Sequence, residues 1–285
     1  MPARVVVLGA RGFVASNLIR HLSDQQIPVV GLSSDDLDLT ASSSASTLTE
    51  LLREDDALVF ISALTPDRGR DIKTMMKNFV MGQSVCDALV RRPCAHVIYL
   101  STDAVYTDEA TLVSEQSCAQ PTSFHGTMHI VRERMLIETL KATSTPLALL
   151  RPSLLFGPGD THNGYGPNRF VRTALDSKKI ALFGGGEEKR DHVYIDDVSI
   201  LTAQVLAHRS AGVLNLATGE SKSFREVADC VAALVHGTEV QPSPRANPIT
   251  HRHFDISALV AAFPDFRFTN LRVGLERMVE KAMAV

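Results

Sequence analysis

His125 and His129 stand four residues apart in Ser123-Phe124-His125-Gly126-Thr127-Met128-His129, a spacing that puts both imidazoles on one face of a helix. Histidine titrates near neutrality without help from a neighbour, so His125 could accept or donate a proton in catalysis. The pair would also suit a shared metal. Two histidines with no third ligand motif nearby make a poor site, however, and no metal is expected. A second stretch of chemical interest is Val5-Val6-Val7-Leu8-Gly9-Ala10-Arg11-Gly12-Phe13-Val14-Ala15, where an apolar run ends in glycines at the start of a helical pattern. A side chain at Gly9 or Gly12 would block close approach of a pyrophosphate to the backbone N–H groups at the positive end of that helix. Ala15 is small enough to let helix and strand pack. Gly9, Gly12, Phe13 and Val14 are therefore the expected dinucleotide cradle.

Such residues need a frame. Short β-branched runs at Arg4 to Leu8, Val29 to Leu32, Ala57 to Ile61, Val97 to Leu100 and Leu147 to Leu150 read as strands separated by helix-length segments. The alternation predicts an α/β protein with a doubly wound, Rossmann-type parallel sheet. Phe13, Val14, Leu18, Ile19 and Leu22 form one apolar helical stripe, and Val85, Ala88 and Leu89 continue another after Asn78. The Ser42-Ser43-Ser44 cluster reads as a polar helix start.

After Arg151-Pro152 the texture changes: Gly157-Pro158-Gly159, Gly164, Gly166 and Pro167 mark a long loop of the kind that carries a binding function or a lid. Residues 1–152 are thus expected to form the dinucleotide-binding domain, with a return of the chain over about 190–217, and 153–285 a smaller, mainly substrate-binding part. A helix from about Asp196 to Ala207 and a strand from Val213 to Leu216 would make that return. Phe224 to Val235 and Leu271 to Met283 read as helices, and Gln241 to Thr250, with its three prolines, as a linker or surface loop.

The bulk numbers narrow the function. With 285 residues, 45% hydrophobic and 21% charged, the chain can bury a sizeable core. A formal charge of -3 offers no basic field for a phosphate backbone, so no nucleic-acid partner is expected. The four cysteines show neither close pairing nor metal-ligand spacing, and the start of the chain runs straight into an apolar strand. No apolar run approaches the roughly 20 residues of a membrane helix. The expectation is a reduced cytoplasmic compartment and no membrane partner.

Taken together, several motifs make the chain resemble the extended short-chain dehydrogenase/reductase family, the NAD(P)-dependent epimerases, dehydratases and reductases of nucleotide sugars. They are the glycine turn, Ser62-Ala63, Asn78-x-x-x-Gly82, Ser101-Thr102-Asp103-Ala104-Val105-Tyr106, Arg151-Pro152 leading to Phe156-Gly157-Pro158-Gly159, Phe183-Gly184-Gly185-Gly186 with Arg190-Asp191-His192-Val193-Tyr194-Ile195-Asp196-Asp197, and Asn215-Leu216-Ala217-Thr218-Gly219. The resemblance covers nearly the whole chain. It implies that Thr102 hydrogen-bonds the reacting sugar oxygen, and that Asp103 matches the acid used by dehydratases. Ala104 lacks the second acid, which argues against a 4,6-dehydratase. Ala63, Asn78 and Asp38 fall at cofactor positions, Asp38 near the adenine. Arg190 matches the arginine that contacts the diphosphate of a nucleotide sugar, its alternative role being an ion pair with Asp191 or Asp197. Leu154 departs from a substrate-binding asparagine, and Asn168 in the glycine-rich loop could supply a polar contact instead. At the end of the second strand Gly31-Leu32-Ser33-Ser34 offers no carboxylate, while Arg11 is placed to meet a 2′-phosphate, as in family members that use NADP. Asp35 and Asp36 could yet reach the ribose, so the cofactor is NADP or NAD with NADP slightly favoured.

The main departure lies at the histidine pair. Pro121, Ser123 and Gly126 align with the family pattern Pro-x-x-x-Tyr-Gly-x-x-Lys, so His125 occupies the tyrosine position and His129 the lysine position. A neutral His129 could hydrogen-bond a ribose hydroxyl but supplies no permanent charge. The expected function is an NAD(P)-dependent epimerase or reductase of a sugar, nucleotide-linked as the resemblance implies, with His125 as acid/base. A catalytically silent NAD(P)-binding sensor or scaffold, or non-redox use of the pocket, stays open. Members of the family often dimerise through the helices beginning near Asn78 and His125, which implies a homodimer.

Overall fold

The computed structural model describes residues 2–245 and 248–284. In chain order the first elements are β1 (Arg4–Leu8), α1 (Phe13–Asp24), β2 (Val29–Leu32), α2 (Ser44–Leu51), β3 (Asp56–Phe60), α3 (Ile72–Arg91), β4 (His96–Leu100), β5 (Leu112–Val113), α4 (Phe124–Leu140) and β6 (Leu147–Pro152). There follow β7 (Leu154–Phe156), α5 (Pro167–Ser177), β8 (Lys179–Phe183), β9 (Lys189–Tyr194), α6 (Ile195–His208) and β10 (Gly212–Leu216). The remainder holds β11 (Ser221–Ser223), α7 (Phe224–Leu234), β12 (Glu239–Ser243), β13 (His253–Phe254), α8 (Ser257–Ala262) and α9 (Leu271–Met283).

The chain divides into two units, the first made of residues 1–107, 118–152 and 198–214. Its sheet has the order β10-β6-β4-β3-β1-β2, and β2, β1, β3, β4 and β6 run parallel. Every residue of β3 and β4 is buried. That double-sided burial is why these strands read as continuous apolar runs instead of alternating ones. Leu58, Phe60, Val85, Leu89, Val97 and Tyr99 belong to the core around them. The α/β, Rossmann-type sheet expected from the alternation is the one observed.

The second unit comprises 108–117, 153–197 and 215–285. The returning segment expected over about 190–217 joins the first unit only from Val198 to Leu214, and β9 lies in the second. That unit has small sheets, β11-β9-β7, β12-β8 and β13-β5, with Phe156, Phe170, Tyr194, Phe224 and Leu275 in its core. The expected linker at 241–250 is corrected in part: Gln241 to Ser243 complete β12, which pairs parallel with β8. Pro242 is compatible with that strand because an edge strand leaves one side of its backbone without ladder bonds. Ala246 and Asn247 of the same segment lie outside the described residues.

β9 also carries His192, only 4% exposed, with its ring edge-on to Phe224 at 5.8 Å. Burial, with the Arg190 charge adding to it, lowers its pKa from 6.5 to about 4. The folded form therefore binds fewer protons than the unfolded one between these values. The stability that neutral His192 contributes is complete above pH 6.5 and is lost as pH falls toward about 4. Urea unfolding should show wild type losing about 3 kcal/mol more than His192→Leu between about pH 7 and 4. Equal losses in the two proteins would contradict this origin of acid sensitivity.

Candidate active site

The glycine turn is built by β1 and α1. Gly9 has φ +95°, and a Cβ there would stand 2.9 Å from the Ser62 Cα, so both backbone conformation and the close approach of the β3 end exclude a side chain. Gly12 is the N-cap of α1, its N–H bonded to Gly9 O, and no side chain caps the helix or places an acid in its first turn. The free helix end, with Phe13 buried and Val14 half-buried, suits a phosphate anion. Ala63 is half-buried in the loop after β3. That loop is clamped by Asn78 of α3, whose Oδ1 accepts from Leu64 N–H at 2.9 Å and whose Nδ2 donates to Leu64 O at 3.0 Å. Asn78 thus shapes backbone.

At the end of β2, Ser33 is buried, and both its N–H and its hydroxyl donate to Asp36, at 2.9 and 2.6 Å. These bonds hold the Asp36 carboxyl below its usual range. Arg11 pairs with Asp35 at 2.6 Å, both side chains exposed. Gly31 to Ser34 themselves carry no carboxylate, and Asp36, one of the two acids left open as able to reach the ribose, folds back onto Ser33, three residues away. Asp38 is exposed and accepts from the N–H and hydroxyl of Thr40, which lowers its pKa.

The histidines enter through α4. Ser123 caps the helix by accepting from Gly126 N–H at 3.1 Å. A Cβ on Gly126 would lie 2.0 Å from Ala104 O and 2.7 Å from Pro121 Cβ, so only glycine lets the helix start this close to the turn at 102–105. His125 is half-buried, and its ring meets that of buried His129 edge-on with centroids 4.7 Å apart. Thr102 caps the short helical turn of Asp103–Val105 by accepting from Ala104 N–H at 3.2 Å. Its hydroxyl hydrogen and a second lone pair are not used by that bond, so capping and contact with a ligand oxygen are compatible. Asp103 is half-buried in the same turn.

Behind this surface lie polar residues whose roles sequence reasoning passed over. Arg132 is fully buried on α4, its Nε donating to Asn78 O at 2.8 Å and its Nη1 to Ser62 O at 2.8 Å. Glu133 is buried too, bonded by Ser101 at 2.5 Å and by Arg151 at 2.9 and 2.5 Å, and Arg151 also donates to the Tyr106 hydroxyl at 3.0 Å. The signal was present: His129, Arg132 and Glu133 interrupt the buried face that Met128, Leu136 and Leu140 otherwise make apolar. Charged residues on a buried helix face are rare unless paired.

In the second unit, Asn168 lies in the first turn of α5 and not in the glycine-rich loop where it was expected, and it directs its amide back into that loop, accepting from Gly157 N–H at 3.0 Å and donating to Asp160 at 2.8 Å. Arg190 donates to Thr250 O and Oγ1 at 2.6 and 2.8 Å. The acids considered as its partners have other bonds: Asp191 accepts from Ser153, Thr218 and Gly219, and Asp197 from Thr269. Among the described residues no helix is long and apolar enough to cross a membrane.

Solved structures of similar fold cover almost the full chain. A structure titled "MoeE5 in complex with UDP-glucuronic acid and NAD" is 23% identical, with a TM-score of 0.86 over 99% of this chain and 100% of that one. UDP-glucuronic acid 4-epimerase from Bacillus cereus, in complex with UDP-glucuronic acid and NAD, is 21% identical, with a TM-score of 0.86 over 99% of each. UDP-glucose 4-epimerase from Thermus thermophilus, in complex with NAD, is 21% identical, with a TM-score of 0.82 over 97% of this chain and 98% of that one. At these identities the likeness is one of fold. Residues 5–217 match the model of the NAD dependent epimerase/dehydratase family. With most of its length matched in this way, the chain belongs to the NAD dependent epimerase/dehydratase family.

Proposed function

We propose that this protein is a nicotinamide-dependent epimerase or reductase of a nucleotide sugar in which His125 is the acid/base. The observation that carries the reading is the seating of His125: Gly126 brings the first turn of α4 against Ala104 O, beside the turn that Thr102 caps. Family membership and nucleotide sugars in the titles of similar structures support the substrate class. The free N-terminus of α1 fits a dinucleotide pyrophosphate, held by the N–H groups that follow Gly12, with Asn78 shaping the neighbouring loop. When bound, the nicotinamide would supply a reversible acceptor for hydride from the sugar carbon. His125 takes the proton from the hydroxyl on that carbon, Thr102 donates a hydrogen bond to the same oxygen, and the imidazolium returns the proton when the carbonyl is reduced. Asp103, the acid of the turn that Thr102 caps, is a second proton donor proposed beside His125, and Arg190 is the proposed contact for the diphosphate.

The test is turnover. Purified protein offered NAD or NADP and a panel of nucleotide sugars should epimerise or reduce at least one. Binding of the cofactor without turnover across the panel would favour a silent NAD(P)-binding protein.

The charges at the β2 end support NAD over the NADP that Arg11 suggests. Two carboxylates, Asp35 and Asp36, share the region with one guanidinium, Arg11, which repels a 2′-phosphate on balance and favours NAD. Asp35→Asn, which frees Arg11, should raise NADP affinity roughly tenfold in calorimetry. Tighter NADP than NAD binding by wild type would restore the preference expected from Arg11.

A homodimer is proposed on the face of α3. Ile72, Met76 and Val80, spaced by four, are 63%, 50% and 39% exposed, an apolar stripe suited to a second copy of the chain. Met76→Glu should convert dimer to monomer in sedimentation velocity, while a monomeric wild type would refute the assembly.

A further inference from the structure

We infer that Tyr99 and Arg132 are positioning residues that lock His129 as a neutral imidazole with its proton on Nε2. The inference rests on the reading of this site as a nicotinamide site, and assigns a function to Arg132, whose hydrogen bonds described above go to carbonyl oxygens and to no acid.

His129 is 4% exposed, and its Nδ1 lies 2.7 Å from the Tyr99 hydroxyl. Three states of the ring are conceivable, the imidazolium and two neutral tautomers. Burial disfavours the imidazolium, and the neighbouring His125 and the fixed charge of Arg132 oppose it further. The tautomer is then decided by Tyr99, which is itself fully buried and kept protonated by that burial. Were His129 to donate from Nδ1, the phenol would need another acceptor for its own hydrogen. The groups around it offer little. Arg132 presents only donors, three of them spent on Asn78 O, Ser62 O and Asn78 Oδ1, and it interacts with the Tyr99 hydroxyl. Phe60 offers a ring at 5.2 Å, and the carboxylate of Glu133 is engaged by Ser101 and Arg151. The consistent arrangement has Arg132 donating to the Tyr99 oxygen and Tyr99 donating to His129 Nδ1, which leaves the N–H on Nε2.

The consequence is a division of labour. The family pattern implies one lysine that is both hydrogen-bond donor and permanent cation. Here His129 Nε2–H is the donor for a ribose hydroxyl, and Arg132, held behind it, is the cation. Arg132 suits the second task because the guanidinium keeps its charge where a buried ammonium would readily lose it.

Histidine 15N shifts of the protein, with and without NAD, test the arrangement directly. Wild type should show His129 as the Nε2–H tautomer, with no titration between about pH 5 and 8. Tyr99→Phe should yield mixed tautomers and roughly tenfold weaker NAD binding in a protein that still folds, its melting temperature lowered by the lost buried hydrogen bond. Arg132→Lys should retain the wild-type tautomer, and Arg132→Met should leave His129 neutral, since burial outweighs the Arg132 charge, but loosen the tautomer, because the Tyr99 oxygen then lacks the donor that orients its hydroxyl. If Arg132→Met fails to fold, the wild-type and Tyr99→Phe spectra decide. An Nδ1–H tautomer in wild type, or a tautomer indifferent to Tyr99→Phe, overturns the inference. Since no sugar enters this experiment, absence of turnover would count against the proposed function and leave the tautomer result standing.

Discussion

His125→Phe will lower turnover by about 10²–10⁴-fold, the usual worth of a positioned acid/base, and leave dinucleotide affinity close to wild type. The two effects separate because the proposed cofactor residues gather at β1, α1 and the loop clamped by Asn78, whereas His125 is seated by Gly126 and the Thr102 turn. Phenylalanine preserves the aromatic edge toward His129, so lost packing contributes little. The wild-type profile should contain one histidine ionisation, since burial keeps His129 neutral. In the oxidative direction the rate rises with pH as His125 loses its proton. Thr102→Val should also slow turnover without weakening the cofactor. Steady-state kinetics paired with calorimetry will check this, and near-normal turnover in His125→Phe would refute the acid/base role.

Gly12→Val should abolish dinucleotide binding. A Cβ at Gly12 already stands 3.2 Å from Gly9 O, and the branched side chain would cover the free N–H groups of α1 where a pyrophosphate must come close. Loss of those charge-assisted bonds removes the main anchor of the ligand, so affinity should fall below detection in calorimetry. A folded variant with unchanged affinity would dismiss the turn as the binding site.

Much of this frame was legible in the sequence. Strands buried on both faces appear as unbroken apolar runs, so β1 was read to the residue and β3, β4 and β6 within two residues at either end, while the half-buried edge strand β2 was read to the residue from its β-branched Val29-Val30 and the turn residues around it. The short strands of the second unit, β5, β7, β8, β9, β11, β12 and β13, were not read. Their pairings are made with distant segments, as between Glu239 and Lys179, and their burial alternates or is partial. At the site, His125, His129 and the glycine turn stood out because local spacing specifies them. The Tyr99–His129 and Arg132–Asn78 bonds join residues 30 and 54 positions apart, and no local pattern encodes such a meeting. Ser33 and Asp36, only three apart, show the reverse error: their types were read correctly, but a side chain folding back on its own turn was not anticipated.

The contact of Gly126 with Ala104 O has a consequence for how this protein could be re-engineered. The entry point of α4 is set by backbone meeting backbone, so whichever side chain occupies position 125 is delivered to the same place. Reactivity and scaffold are thereby separable. Tyrosine could be grafted at 125 with the first turn of the helix acting as a fixed socket, whereas a lysine at 129 would also have to replace the Tyr99 bond and face the Arg132 charge.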